Sequence, residues 1–257
     1  MPGLAHDQVR DFHRQGFLAL SRFTEPGELE HIRRVLMGLF ARFHELPDRH
    51  AVDLGVRAHH AGRLEIAEIN YTTELAPELT ATQTFAAAQR VAQELLQCST
   101  VHTGYDHAIL KPAGCNRATP WHQDQAYTRE RGRDAFGSVH LWIPLQDVSV
   151  AMGCMWFAPH THRGPVMPHR RRDQRPRAHA LQARDVDTSA AVACPIPAGG
   201  LTVHFPRTLH YTGPNRTDQP RLAWILEFGR PRGARRSVTA TVARWSSTLT
   251  GWMTRAR

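Results

Sequence analysis

From Tyr105 onward the chain becomes a series of short apolar segments broken by Gly, Pro and Asn. Residues 106–111, 138–145, 154–158, 201–205 and 222–228 read as strands bounded by turns. Many short strands with punctuated turns point to a sandwich or a barrel, which buries the apolar face of a sheet by stacking or closing it. The 257 residues fit one such unit, because barrels and sandwiches of this length often fold as a single domain.

Ahead of that point the pattern is helical. Thr24 is placed to cap a helix with Pro26 in its first turn, where a missing N–H costs nothing. Glu25, Glu28 and Glu30 put negative charge near that positive helix end. Leu29, Ile32, Val35, Leu36, Leu39, Phe40 and Phe43 recur at helical spacing, and Pro47 stops the helix. A second helix is predicted over 83–96, with Phe85, Ala88, Val91 and Leu95 on one side. Both faces read as core packing. The expected organisation is therefore one domain over 1–228, with a helical front to about residue 104 and core strands mainly over 105–228. A basic tail follows over 229–257. Its Val238, Val242, Trp245, Leu249 and Trp252 fall at helical spacing, which reads as a helix docked on its own domain, with a membrane-surface helix as the second reading.

Composition narrows the partners. The formal charge of +9 and pI of about 10.4 raise the question of nucleic acid. Almost all the positive charge is arginine, however, and Lys111 is the only lysine, a bias of genome composition rather than of a binding face. The densest basic run, 169–177, holds no aromatic residue to stack on a base and reads as a solvated loop. No nucleic-acid partner is expected. No apolar stretch reaches membrane-spanning length, and the N-terminus lacks a signal-peptide apolar centre, so a cytoplasmic location is expected. Cys98, Cys115, Cys154 and Cys194 form no C-x-x-C pair and read as reduced thiols.

The chemistry gathers in two places. In Pro120-Trp121-His122-Gln123-Asp124-Gln125, residues two apart on a strand would share a face, so His122 and Asp124 can converge on one point. In Thr208-Leu209-His210-Tyr211-Thr212, just before the turn Gly213-Pro214-Asn215, His210 offers a third ligand. Two histidines and a carboxylate on one face of a metal leave the other face open, the arrangement of non-haem Fe(II) oxygenases. A lone H-x-D is weak among 17 histidines, where a hydrogen-bonded strand histidine is the bland reading. Arg221, which opens the next predicted strand, strengthens the case. A planar guanidinium can grip the distal carboxylate of 2-oxoglutarate through two parallel hydrogen bonds.

Together these residues resemble the phytanoyl-CoA dioxygenase family, within the iron and 2-oxoglutarate oxygenases. The resemblance runs from Phe12-His13-Arg14-Gln15-Gly16-Phe17 to about Phe228. It includes Trp121 to Asp124, Trp142, Gly153 to His162, and His210 to Arg221. It implies a mainly β fold with flanking helices, built on a double-stranded β-helix (jelly-roll, cupin-like) core. It implies Fe(II), 2-oxoglutarate and O2 as cofactor and cosubstrates, with ascorbate as an aid in keeping the iron ferrous. By resemblance Thr212 joins Arg221 at the distal carboxylate and Trp142 lines the cosubstrate pocket. Asp124 argues against halogenation, since related halogenases carry a small residue there. One departure stands out: Pro159-His160-Thr161-His162 replaces the Pro-Gly-Ser-His of many relatives, which suggests a different loop near the substrate.

Lys111 precedes the H-x-D segment and is a candidate for the cosubstrate carboxylate, with a strand-end surface lysine as the equal alternative. His107, His140 and His204 sit on predicted strands and could face the cavity, and each is expected to be a satisfied structural histidine rather than a ligand. Asn116, Arg117 and Gln125 are candidate substrate contacts by position alone, and Tyr127 a pocket wall or core residue. The expected reaction is hydroxylation, or another oxidation, of an aliphatic C–H of a small metabolite in bacterial secondary metabolism. A CoA-linked or carrier-linked acyl substrate is the close alternative, and a non-catalytic jelly-roll metal-binding protein the distant one. The sequence leaves oligomeric state open.

Overall fold

The computed structural model describes residues 3–54, 65–127, 136–171 and 181–231. In chain order its helices are α1 (His6–Gln15), α2 (Pro26–Ala41), α3 (Thr72–Leu75) and α4 (Gln83–Leu96). The strands of the first half are β1 (Phe17–Leu20), β2 (Ala51–Asp53), β3 (Ala67–Asn70), β4 (His102–Lys111), β5 (Thr119–His122) and β6 (Ser138–Pro144). Those of the second half are β7 (Met155–Phe157), β8 (His169–Arg171), β9 (Leu181–Ala183), β10 (Val192–Cys194), β11 (Leu201–His204), β12 (His210–Thr212) and β13 (Arg221–Gly229).

The strands form a seven-stranded sheet in the order β1-β11-β6-β13-β4-β3-β2 and a four-stranded sheet in the order β10-β7-β12-β5, with β8 and β9 as a separate pair. Every ladder is antiparallel. The fold is the double-stranded β-helix expected. The front of the chain is not purely helical, because β1, β2 and β3 join both flanks of the large sheet. Each has only three or four residues, too few to show a period.

Alternation along the central strand fixes what each face does. Leu222, Trp224, Leu226 and Phe228 of β13 join Ile32, Leu36 and Leu39 of α2 and Phe85, Ala88 and Leu95 of α4 in the main core. The intervening Ala223 and Ile225 pack with Trp142, Met155 and Phe157 between the two sheets. Period two thus sends every second side chain of the large sheet into the jelly-roll interior. Burying each large apolar side chain on the helix face contributes about 1.5–3 kcal/mol.

The helix caps differ from the sequence expectation. Thr24 does not cap α2: the N-cap is Glu25, without a side-chain bond, and Thr24 Oγ1 has no partner among the described residues. Glu28 leaves its own helix and accepts from Gln83 N (2.6 Å) and Thr84 N (2.7 Å), capping α4 together with Thr82 Oγ1, which accepts from Phe85 N at 3.1 Å. Burial pushes the Glu28 carboxyl up, but the bonds from Thr84 and Gln83 outweigh it and leave its pKa lowered. Pro47 does not itself end α2, which stops at Ala41 and passes into a 3-10 turn over Phe43–Glu45. The basic run 169–177 begins as strand β8 rather than as loop. The tail helix proposed around Val238 to Trp252 lies outside the described residues. No helix of the described residues is long and apolar enough to cross a membrane.

Candidate metal centre

His122 is the last residue of β5 and lies opposite His210 of β12 in the ladder, which brings the two rings to 4.1 Å. Asp124 is not on the strand with His122. It opens a 3-10 turn over Asp124–Tyr127, and the turn rather than the pleat swings its carboxylate back towards the two rings. Oδ1 lies 3.3 Å from His122 Nε2 and 3.4 Å from His210 Nε2. The three ligand atoms lie within 4.8 Å of one another, close enough to hold one metal ion.

Hydrogen bonds assign the ring nitrogens. His122 Nδ1 lies 2.7 Å from the Pro120 carbonyl, and His210 Nδ1 lies 2.8 Å from the Thr208 carbonyl. A carbonyl can only accept, so each Nδ1 carries the proton and each Nε2 presents a lone pair. Burial, then the neighbouring His210, lowers the His122 pKa and keeps that ring neutral. Burial alone would raise Asp124, but the imidazoles of His210, His140 and His122 hold it well below the usual carboxylate range. Two imidazole lone pairs and a carboxylate oxygen therefore face one point with no proton among them. Such mutual repulsion is relieved by a cation, and the donor set suits a borderline divalent metal.

Gln123 makes the turn possible. Its side chain is fully buried, donates to the Arg207 carbonyl at 2.7 Å and accepts from Met167 N at 2.7 Å. Its backbone N–H donates to His169 Nε2 at 3.1 Å. Gln125 N donates to the Pro206 carbonyl (3.0 Å), and Gln125 Oε1 accepts from Arg207 Nε at 2.7 Å. The same loop is held from the other side, where the Gly16 carbonyl accepts from Thr208 Oγ1 at 2.7 Å and from Phe205 N at 3.1 Å. Gly16 adopts φ 93°, and a Cβ there would collide with the His162 ring.

A cavity of about 530 Å³ adjoins the three residues and is also lined by Trp142, Thr212 and Arg221. Arg221 is 1% exposed, and its Nε and Nη1 have no hydrogen-bond partner among the described residues. Its guanidinium sits 5.4 Å from the Trp142 ring centroid, and burial brings its pKa down to about 10. A buried cation with unused donors on a cavity wall is built to receive an anion. Thr212 completes that wall. Lys111 does not reach the cavity. It is fully buried behind Thr212 and donates to Thr212 Oγ1 and the Gly213 carbonyl, each at 2.8 Å. Burial, then Arg221, pulls its pKa well below the ordinary lysine value.

The remaining sequence candidates separate. Asn116 and Arg117 are exposed, and Arg117 pairs with Glu65 at 3.1 Å. Gln125 and Tyr127 line the cavity, as do His107, His140 and His204. His107 Nδ1 lies 2.8 Å from Glu68 Oε1, while His140 and His204 both meet Asp124. The inward position left open by the sequence holds for the last two, because Val139, Leu141 and Ile143, like Leu201 and Val203, face the helices. The loop 159–162 packs on the end of α1, not on the cavity. His160 holds φ 68°, where glycine is favoured, and is kept there by bonds to the Gln15 and Arg14 carbonyls, each 2.9 Å.

Comparison with known proteins gives the family and the fold. The family model described as phytanoyl-CoA dioxygenase matches residues 12–223. EvdO2 of Micromonospora carbonacea var. aurantiaca, solved in complex with 2-oxoglutarate, superposes with a TM-score of 0.74 at 32% identity, covering 90% of this chain and 92% of that one. A probable alpha-ketoglutarate-dependent hypophosphite dioxygenase of Stutzerimonas stutzeri is 32% identical over 112 residues, 42% of this chain and 38% of that protein. A phytanoyl-CoA dioxygenase domain-containing protein 1 of Bos taurus is 31% identical over 113 residues, with the same shares of the two chains. The matches thus span less than two fifths of the length of these curated relatives.

Proposed function

Because the chain belongs to the phytanoyl-CoA dioxygenase family, we propose that it is an Fe(II)- and 2-oxoglutarate-dependent dioxygenase acting on an aliphatic C–H of a small metabolite. The observation that carries this reading is the convergence of His122 Nε2, His210 Nε2 and Asp124 Oδ1, all acceptors, beside the unpaired donors of buried Arg221. His122, Asp124 and His210 would hold the iron on one face. Arg221 and Thr212 would receive the distal carboxylate of the cosubstrate, with Trp142 stacked on the guanidinium. Lys111 would act from behind, fixing the Thr212 hydroxyl through its own bond to Oγ1. EvdO2, similar along most of its length, is a 2-oxoglutarate complex, which supports the cosubstrate.

When bound, iron and 2-oxoglutarate together with O2 supply the oxidant, one oxygen atom passing to succinate as CO2 leaves and the other to the substrate. The protein's own share is orientation and exclusion of water. The strands of both sheets and the rings of Trp142, Tyr105 and Tyr127 around the cavity would hold the reacting carbon close and exclude water. Glu68 and Glu227 also line the cavity. They suit a neutral or cationic metabolite better than an anionic CoA or carrier thioester. We assign the oxygenase to a single domain over 1–228 and place it in the cytoplasm, where its four free thiols would stay reduced.

The test is an anaerobic titration of metal-free protein with Fe(II) and then 2-oxoglutarate, watching for the weak visible charge-transfer band of the chelate. The band is expected in the wild type and absent in His122→Ala and Asp124→Ala. Folded wild-type protein that gives no band refutes the oxygenase reading and brings forward a non-catalytic metal-binding jelly roll.

A further inference from the structure

Asp124 carries a second pair of imidazoles that the proposed chemistry does not use. His140 of β6 brings Nδ1 to 2.7 Å from Oδ2, and His204 of β11 brings Nε2 to 3.1 Å from the same oxygen. The two histidines are direct cross-strand neighbours in the large sheet. By distance alone Asp124, His140 and His204 could also enclose a metal ion.

The protons on the rings separate the two pairs. In His122 and His210 the Nδ1 proton is committed to a backbone carbonyl, so Nε2 has only a lone pair to offer. In His204 no acceptor among the described residues meets Nδ1, and Nε2 faces a carboxylate oxygen, which accepts. Its proton therefore sits on Nε2. The 2.7 Å contact of His140 is the length of a charge-assisted N–H···O bond, whereas the 3.3 and 3.4 Å contacts on Oδ1 are too long for one. The far nitrogen of His140 faces Glu227 Oε2 at 3.6 Å, and the His204 ring is held between Phe157 (5.3 Å) and His210 (4.4 Å).

We propose that His140 and His204 are positioning residues whose N–H groups hold Oδ2 of Asp124 and so present Oδ1 alone to the metal. The proposal rests on reading His122, Asp124 and His210 as the iron face. Asp124 stands on a 3-10 turn, not on a strand, so its backbone alone leaves the carboxylate free to rotate. A rotated carboxylate could offer both oxygens and occupy a position that the cosubstrate or O2 requires. Two donors fixed on neighbouring strands of the large sheet prevent that rotation and tie the turn to the rigid half of the barrel.

The amide nitrogen of Gln reaches the place of a histidine Nε2, and that of Asn the place of Nδ1. His204→Gln and His140→Asn therefore keep the donor, while His204→Asn and His140→Gln displace it. All four remain polar and of similar size, and melting curves check their folding. Fe(II) dissociation constants are measured anaerobically by competition with a chromogenic chelator, and the chelate band is recorded with 2-oxoglutarate. The displaced set is expected to bind Fe(II) about 10- to 100-fold more weakly, with an altered band, and the donor-keeping set to stay close to wild type. Wild-type affinity and band in all four overturns the proposal. So does loss of Fe(II) in all four as complete as in Asp124→Ala, since the imidazoles themselves would then be ligands. Should the displaced variants fail to fold, the double variant His140→Asn/His204→Gln decides: retained affinity supports the proposal and lost affinity in folded protein overturns it. Failure of the metal reading is separate, appearing as wild type that binds no Fe(II), or as His122→Ala and His210→Ala that bind as tightly as wild type.

Discussion

The two sheets of the jelly roll achieve precision by different means. The large sheet is anchored by strands of nine and ten residues, β13 and β4, paired along almost their whole length and backed by α2 and α4. Its inward residues, among them Arg221, Trp142, His140 and His204, are placed by register alone. The small sheet has strands of three and four residues, yet His122 and His210 belong to it and Asp124 lies just beyond its edge. Ladders this short fix little. Placement there depends on side chains that cross between loops, above all Gln123 to Arg207 and Met167, and Thr161, which accepts from Leu209 N at 2.9 Å. A rigid wall thus carries the groups proposed to bind the anion and to position Asp124, while a pinned assembly of loops carries the candidate ligands.

The largest expected effects lie on the pinned side. Asp124→Ala or His210→Ala should weaken Fe(II) binding by more than about 100-fold, beyond the cost of losing an outer partner, in protein whose circular dichroism shows it to be folded. Calorimetric titration with Fe(II) under anaerobic conditions measures this, and unchanged affinity would break the division of labour outright. Next comes Arg221→Met on the rigid wall. Losing charge-assisted bonds to the cosubstrate should raise the KM for 2-oxoglutarate roughly 100-fold, about 3 kcal/mol, with Fe(II) affinity preserved. The same substitution removes a buried cation whose Nε and Nη1 lack partners, so the metal-free protein should become more stable by about 1 kcal/mol or more. A gain in KM with a loss of stability would mean that Arg221 is structural.

Legibility followed the same division. Strands of the large sheet announce themselves as apolar runs bounded by turns, and 222–228 was readable as such a run, although apolar Ala223 and Ile225 hide its alternation. Arg221, one step before, was singled out for the fit of its guanidinium to a carboxylate, and the fold sets it on the cavity wall. The H-x-D pair was legible as residues but not as geometry. The turn at Asp124 is set by bonds from Gln123 and Gln125 to 206–207, more than eighty residues away, and no local pattern encodes them. Capping failed for the same reason. The charge of Glu28 suits its own helix end, yet its carboxylate serves α4, 55 residues on. Lys111 was legible only as an open choice between a pocket group and a surface lysine, and the fold shows it buried behind Thr212.

Two smaller effects sharpen the contrast. Gln123→Ala removes two buried bonds that join separate loops of the pinned side, leaving the Arg207 carbonyl and Met167 N–H without that partner. It should cost about 2–3 kcal/mol in stability and about tenfold in Fe(II) affinity together. If the melting temperature falls while Fe(II) affinity holds, the turn at Asp124 is fixed by something other than these bonds.

The smallest is Thr82→Ala. Its hydroxyl accepts from Phe85 N at the start of α4, and α4 packs Phe85 against Trp224 and Phe228 on the outer face of β13. Removing the cap should cost about 1 kcal/mol. Trp224 and Phe228 point away from the cavity, and β13 remains paired with β4 and β6 along its length. The loss should therefore appear in denaturant melts and leave both Fe(II) affinity and the KM for 2-oxoglutarate unchanged. Thr24→Ala is the control, since Thr24 Oγ1 has no partner among the described residues and should give up little. If Thr82→Ala weakens Fe(II) binding, the large sheet is not a rigid frame, and strain on its helix face travels through β13 to the metal side.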